Sequence, residues 1–263
     1  MSMVEYTAAE GVGTLTLNRP ERMNTMTAEF LEDALAAFER AADDSSTRVV
    51  ILTGAGRAFC AGGDLSEGPG GGVGGEGPLP TQAGRLRRFM RTSQLLRDTS
   101  KVTIAAVNGA CAGAGLSWAC AADLRFAASN ARFATAFINA GLSGAFGGTW
   151  LLPRLVGSSK ARELYLLSAP IDAAEAQRIG LVAEVVEPDD LQARVAEVAS
   201  TLVARAPLAL RAMKENLRDH EEMSWPAALD SEAGRHAFCC TTDDGAEAAA
   251  AFVAKRDPVF TGK

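Results

Sequence analysis

A chain of 263 residues that is 48% apolar can bury a core for one large domain without disulfide support. Its five cysteines (Cys60, Cys111, Cys120 and the adjacent Cys239-Cys240) are odd in number and lack framework spacing, which reads as reduced thiols in a cytoplasmic protein. A net charge of −6 and a pI of about 5.1 argue against a nucleic-acid surface, and with Glu5 early and no long apolar stretch at the N-terminus no signal peptide is expected.

Residues 4–17 read as a hairpin around Glu10-Gly11, ended by Asn18-Arg19-Pro20. Thr27 is the expected N-cap of a helix running through Ala41, with Glu29 in its first turn and Phe30, Leu31, Ala34, Leu35 and Phe38 at helical spacing. Residues 48–53 form a buried strand that leads to the small-residue turn Phe59-Cys60-Ala61-Gly62-Gly63-Asp64-Leu65. Residues 68–77 are nearly all glycine but lack the Gly-Lys-Ser/Thr ending and the immediate helix of a phosphate-cradling loop, so a flexible surface loop is expected. Helical spacing resumes over 85–97. There Arg85, Arg87, Arg88, Arg91, Arg97 and Lys101 face the single acid Asp98, a stripe suited either to an anionic ligand or to a solvated helix face.

A second strand over 102–107 leads to a second small-residue turn, Val107-Asn108-Gly109-Ala110-Cys111-Ala112-Gly113-Ala114-Gly115. Residues 102–122 are uncharged and long enough for a bilayer, with Gly109 and Gly113 at the spacing of membrane helix pairs. Asn108, Gly115, Ser117 and the scarcity of large aliphatics mark them instead as buried strand, turn and helix. A helix over 117–122, a strand over 123–127, the segment Arg132-Phe133-Ala134, a glycine-rich turn over 141–148, a helix from about Thr149 and a late strand over 181–186 follow. Beyond Asp189 the pattern is helical, broken at Pro207 and Pro226. The layout is α/β over 1–188 and helical over 189–263, without internal repeats.

Small side chains let a ligand approach the main chain closely. Two such turns side by side can aim two backbone N–H groups at one oxygen, the geometry that stabilises an oxyanion. Other readings fare worse. Gly113-Ala114-Gly115 lacks the third glycine of a dinucleotide fingerprint, since Trp118 stands there. Gly115-Leu116-Ser117-Trp118-Ala119 resembles a nucleophile elbow, but a long turn separates the strand from the serine and no acid is well placed to join His220 or His236. His220 sits among Asp219, Glu221 and Glu222, as on a solvated helix, and no metal-ligand spacing is present.

The two turns resemble the two signatures of the crotonase (enoyl-CoA hydratase/isomerase) superfamily, the second ending at Asp123. Asn18-Arg19-Pro20-Glu21-Arg22-Met23-Asn24, the turn over 141–148 with Thr149, and the tail over 252–263 are similar to the same family's start, middle and end. The resemblance implies an α/β fold, a crotonase-like spiral of ββα turns, capped by a C-terminal helical region that drives trimers or hexamers. It implies an acyl-CoA substrate whose thioester oxygen lies between the N–H groups of Ala61 and Ala114, with no cofactor beyond that coenzyme A. Arg22, Gly62, Asp64, Leu65, Gly113 and Phe137 would bind substrate, and Phe260 and Lys263 would reach the coenzyme A of a neighbouring subunit.

The family's two hydratase glutamates fall on Ser117 and Phe137. Phe137 cannot titrate and a serine hydroxyl is too weak an acid to stand in for Glu. Three readings follow: a non-standard reaction on an acyl-CoA (decarboxylation, isomerisation or thioester cleavage) helped by Ser117, Asn139, Ser143, Glu67 or Glu76; a weak or narrow hydratase or isomerase; or a non-catalytic acyl-CoA-binding protein. Phe133, Phe137, Phe146 and Trp150 are candidates for an apolar acyl pocket or for ordinary core.

Overall fold

The computed structural model describes residues 2–263. Its strands are β1 (Val4–Ala9), β2 (Val12–Leu17), β3 (Val49–Gly54), β4 (Ala58–Cys60), β5 (Val102–Val107), β6 (Ala110–Ala112), β7 (Leu124–Ala128), β8 (Arg132–Ala134), β9 (Ile171–Asp172) and β10 (Glu184–Val186). The larger sheet has the order β1-β2-β3-β5-β7-β10, and the smaller has the order β4-β6-β8-β9. The hairpin β1-β2 is antiparallel; β2, β3, β5, β7 and β10 then run parallel, as do β4, β6 and β8. Each passage of the chain adds one strand to each sheet and returns through a helix, which is the expected spiral of ββα turns.

The β-branched runs are buried on both faces, and their alternation sorts them. Val50, Leu52, Ala105, Val107 and Ala127 point into the main core. Val49, Ile51, Ile104, Ala106, Phe126 and Ala128 point the other way, onto Leu191, Val195 and Ala199 of the helix Leu191–Val203. The first helix of the C-terminal region thus covers the outer face of the larger sheet. Among the described residues no helix is long and apolar enough to cross a membrane.

At the centre of the main core lies the helix Ala114–Ala121, buried along its whole length. Trp118 packs edge-on against Phe146 and beside Phe30 and Phe38, and its indole N–H donates to Thr92 Oγ1 at 2.8 Å. The N-cap at Thr27 forms as expected, its hydroxyl accepting from Phe30 N–H at 3.2 Å.

Several expectations need correction. The helical region after the glycine run begins at Leu79, with Pro80 in its first turn, and is two helices, Leu79–Phe89 and Arg91–Asp98. The late strand shrinks to Glu184–Val186. The breaks expected at Pro207 and Pro226 are present, each proline sitting in the first turn of the helix that follows, Pro207–Asp219 and Trp225–Cys240, where a missing N–H costs nothing. His220 is no fully solvated side chain, since its Nε2 is buried without a partner among the described residues.

The segment after the hairpin is fixed by two polar anchors. Asn24, fully buried and left-handed (φ 55°), donates to the carbonyls of Ala55, Ala58 and Phe59 at 3.1, 2.8 and 3.1 Å. Asp64 accepts from Ser66 Oγ (2.6 Å), Thr25 Oγ1 (3.1 Å), Arg19 Nη1 (3.0 Å) and Arg22 Nη2 (3.2 Å). The Ser66 hydroxyl bond, with further bonds from Thr25 and Arg19, holds its carboxyl well below the usual 3.8. A depressed carboxylate pKa stabilises the fold above the unfolded value and loses that contribution as pH falls through the folded one. The stability difference between the wild type and Asp64→Asn, measured by urea unfolding, should be largest at neutral pH and shrink as pH drops below 3.8.

All five cysteines are free, and burial pushes the Cys60 and Cys120 thiols up to about 12. Iodoacetamide on the native protein at mildly alkaline pH should label the exposed Cys240 first and half-buried Cys239 next, with Cys60, Cys111 and Cys120 reacting only after denaturation, as read by peptide mass spectrometry.

Candidate active site

Both small-residue turns leave neighbouring strands at the same end, because β3 pairs with β5 and β4 with β6. Their approach depends on Gly115. A Cβ there would stand 2.4 Å from the Cys60 carbonyl oxygen, so any side chain would drive the helix away from β4. Gly113 takes up the left-handed turn (φ 53°) that starts the helix. Ala114 is therefore an ordinary first helical residue, a conformation alanine adopts readily. Its N–H, like those of Gly115 and Leu116, has no acceptor among the described residues, as expected for the first turn of a helix.

The 61–63 turn presents a different picture. Gly62 (φ 91°) and Gly63 are tied to Met26, with Met26 N–H donating to the Gly62 carbonyl at 2.8 Å. Ala61 N–H is not free: it donates to the carbonyl of Met23 at 3.1 Å. Of the two expected oxyanion donors, one is open and the other is already engaged.

Between these turns opens a cavity of about 460 Å³. Its wall includes Ala61, Gly62, Gly113 and Ala114 of the two turns and Leu65, Val73, Leu86, Phe137, Leu142 and Phe146. The run over 68–77, expected as a free surface loop, is part of this wall: Gly70 and Gly74 line the cavity, and Gly71 is buried where a Cβ would meet the Met26 carbonyl at 2.5 Å. Leu79, Gln82, Ala83 and Leu86 add one face of the following helix. Only Pro80 hinted in the sequence that this helix starts before Arg85.

No residue lining the cavity titrates; the only polar side chains are Gln82 and Ser143. Phe137 stands where a glutamate was counted. It follows a strained turn: Ala136 is left-handed (φ 56°) and Phe137 N–H donates to the Thr135 carbonyl two residues back, at 2.7 Å. The Phe137 ring stacks on Tyr165, at 6.5 Å and 22°. Burial raises the Tyr165 phenol above its ordinary 10.0, so it stays protonated at neutral pH.

Ser117 does not reach the cavity. It is buried, and its hydroxyl donates to the Ala145 carbonyl at 2.9 Å, tying the helix to the 144–148 turn. Asn139, Glu67 and Glu76 are exposed and outside the wall. Phe133 belongs to the core, and Trp150 lies between the guanidinium groups of Arg97 and Arg154, 4.6 and 3.5 Å from its ring centre. Phe137 and Phe146 alone of the four aromatic candidates line the cavity. Arg22 is engaged with Asp64 beside the 61–65 turn. The stripe from Arg85 is largely paired within the chain: Arg88 with Glu32, Arg85 with the Gly74 carbonyl, Arg87 with Gln94. The tail is docked on the helix Asp243–Ala254, where Thr261 and Gly262 N–H groups donate to Asp244 and the Lys263 carbonyl accepts from Asp243 N–H at 2.8 Å. Phe260 is half-buried and the Lys263 side chain exposed, both away from this cavity. Among the described residues no cluster of three His, Cys, Asp or Glu is placed to hold a metal.

Comparison with known proteins places this architecture. The family model described as enoyl-CoA hydratase/isomerase matches residues 7–263. The chain is similar to the 1,2-epoxyphenylacetyl-CoA isomerase of Escherichia coli, 37% identical over 97% of this chain and 96% of that protein. It is similar also to the short-chain-enoyl-CoA hydratase of Clostridium acetobutylicum, 36% identical over 93% and 92%. The crystal structure of an enoyl-CoA hydratase from Bacillus anthracis superposes with a TM-score of 0.91 at 30% identity, covering 99% of this chain and 100% of that one. A central helix whose first turn opens on an apolar cavity between two glycine-rich turns, on a spiral of two parallel sheets, thus carries its family with it: the chain belongs to the enoyl-CoA hydratase/isomerase family of the crotonase fold.

Proposed function

We propose that this protein is an enzyme that binds an acyl-CoA thioester with the acyl group in the 460 Å³ cavity and the thioester oxygen at the first turn of the Ala114–Ala121 helix. The observation that carries this is the unbonded Ala114 N–H at the cavity wall. A helix N-terminus carries partial positive charge, and in a dry apolar site an amide aimed at a developing enolate or tetrahedral oxygen has its full effect. Ala61 N–H supplies the second contact by sharing its proton between the Met23 carbonyl and the thioester oxygen, a three-centre bond of the kind common at helix ends.

The chemistry is that of a site without carboxylates. Hydration needs a base for water and an acid for carbon. The residues lining the cavity offer neither, so the reaction is one in which stabilising the thioester oxygen does most of the work: as an enolate in decarboxylation, where loss of CO₂ supplies the electron pair, or in isomerisation, where the proton must pass through a group from outside the lining, or as a tetrahedral oxyanion in thioester cleavage by water. The relatives include an isomerase as well as hydratases. The coenzyme A is part of the substrate, and no other cofactor is required by this reading. Arg22, beside the mouth turn and half-exposed, is the nearest candidate for a phosphate contact.

The C-terminal helices leave Met213, Leu217, Trp225, Leu229, Phe238, Phe252 and Val253 exposed. Copies of the chain packed through these helices, as the family's trimers imply, would cover them and bring the tail, with Phe260 and Lys263, toward a neighbour's substrate. A cytoplasmic location fits the free thiols.

The decisive experiment is turnover on a panel of CoA thioesters with products identified by mass spectrometry: a shifted double bond, lost CO₂ or free acid supports the reading, and water added at the rate of an efficient hydratase overturns it. Crotonyl-CoA hydration by the wild type should run roughly 10²–10⁴-fold below an efficient hydratase, the usual contribution of positioned acid–base groups. Phe137→Glu should raise it, whereas Ser117 is the wrong place for a carboxylate because it is sealed in the core. Ala114→Pro removes the N–H, sets a ring CH₂ in its place and keeps the helix start, since proline is tolerated at a first helical position. It should keep the fold by circular dichroism and reduce kcat by roughly 10²–10³-fold.

A further inference from the structure

A second cavity, of about 330 Å³, adjoins the first at Phe146 and opens to solvent beside Arg87, Asp98 and Glu222. The two are walled by successive faces of the helices Leu79–Phe89 and Arg91–Asp98, which meet at Met90. Leu79, Gln82, Ala83 and Leu86 line the first cavity; Met90, Ser93, Gln94 and Arg97, continuing at the same three- and four-residue spacing, line the second. The opposite walls also follow one another in sequence, Ala145 facing the first cavity and Gly147, Trp150 and Leu151 the second. Phe146 is the one residue that lines both.

Phe146 is fixed in that position. It is 3% exposed and packs edge-on against Trp118, with ring centres 5.9 Å apart at 84°. Its backbone is left-handed (φ 55°), a conformation that a bulky side chain adopts only when its surroundings hold it there. The neighbouring Gly147 is left-handed as well (φ 77°). Behind the ring, Ser93 is buried with its hydroxyl unpartnered among the described residues, beside Met90 and Leu151.

We propose that Phe146 determines acyl-chain length: its ring closes the acyl cavity and confines the substrate to short acyl groups, while the space beyond it can receive the rest of a longer straight chain once the ring is removed. This inference rests on the reading that the first cavity takes the acyl group. The helical faces from Leu79 to Arg97 would then run alongside the whole chain, and Phe146 alone would interrupt the path.

Calorimetric binding of butyryl-, octanoyl- and dodecanoyl-CoA to the full-length wild type, Phe146→Ala and Phe146→Leu tests it. The wild type should bind butyryl-CoA more tightly than octanoyl-CoA. Phe146→Ala should shift the octanoyl/butyryl affinity ratio by roughly tenfold or more toward the longer ester, the gain from burying about two further methylenes. Phe146→Leu, which keeps more of the packing on Trp118, should shift it the same way by less and serves if the alanine variant does not fold. Adding Ser93→Leu to Phe146→Ala should fill the second cavity and reverse the shift. Folded variants that bind butyryl-CoA with the wild-type ratio overturn the role of Phe146 and leave the acyl-CoA reading standing. Failure of the wild type to bind any of the three esters overturns both.

Discussion

One contact organises this molecule: the main chain of the helix Ala114–Ala121 against the end of β4, permitted by the missing side chain of Gly115. It brings an unbonded helix N-terminus to the edge of an apolar cavity, where an amide proton is worth most. The parallel pairing of β3 with β5 and of β4 with β6 fixes the level at which both turns emerge. The Trp118 cluster locks the helix from behind, and Asn24 and Asp64 lock the facing loop. What the cavity presents to a ligand is therefore main chain and hydrocarbon, with Gln82 and Ser143 the only polar side chains.

That composition leaves the cavity lining without an acid or base of its own. The cationic groups near the site are spent on structure: Arg19 and Arg22 on Asp64 and Arg88 on Glu32. Only the Arg88–Glu32 pair is exposed, where a pair adds little stability; the others hold the buried Asp64, and all of them leave the cavity wall uncharged. The strained turn at Ala136 presents an aromatic ring to the cavity, where the hydratases of the family were expected to hold a carboxylate.

Much of this was legible in the chain. The β-branched runs at 49–52 and 102–107, the small residues after each, and the N-cap at Thr27 dictate strand, turn and helix by local chemistry alone, and the order of motifs located the family. The length of the cavity wall was not legible, because the glycines over 68–77 have the composition of a free loop. They are ordered here by close approach to Met26, a contact some forty residues distant in sequence that no local pattern records. The fate of Ser117 was hidden for a related reason: whether a helical serine faces a pocket or a neighbouring carbonyl depends on the 144–148 turn, which arrives later in the chain. The Met23 carbonyl, which engages Ala61 N–H, belongs to a left-handed residue with no glycine to announce it.

The uncharged lining has one more consequence. An enzyme whose walls neither gain nor lose protons gives its rate no ionisation of its own to follow. On the acyl-CoA reading, what pH dependence its velocity shows across the neutral range should come from outside the wall, the ionising phosphates of the substrate included.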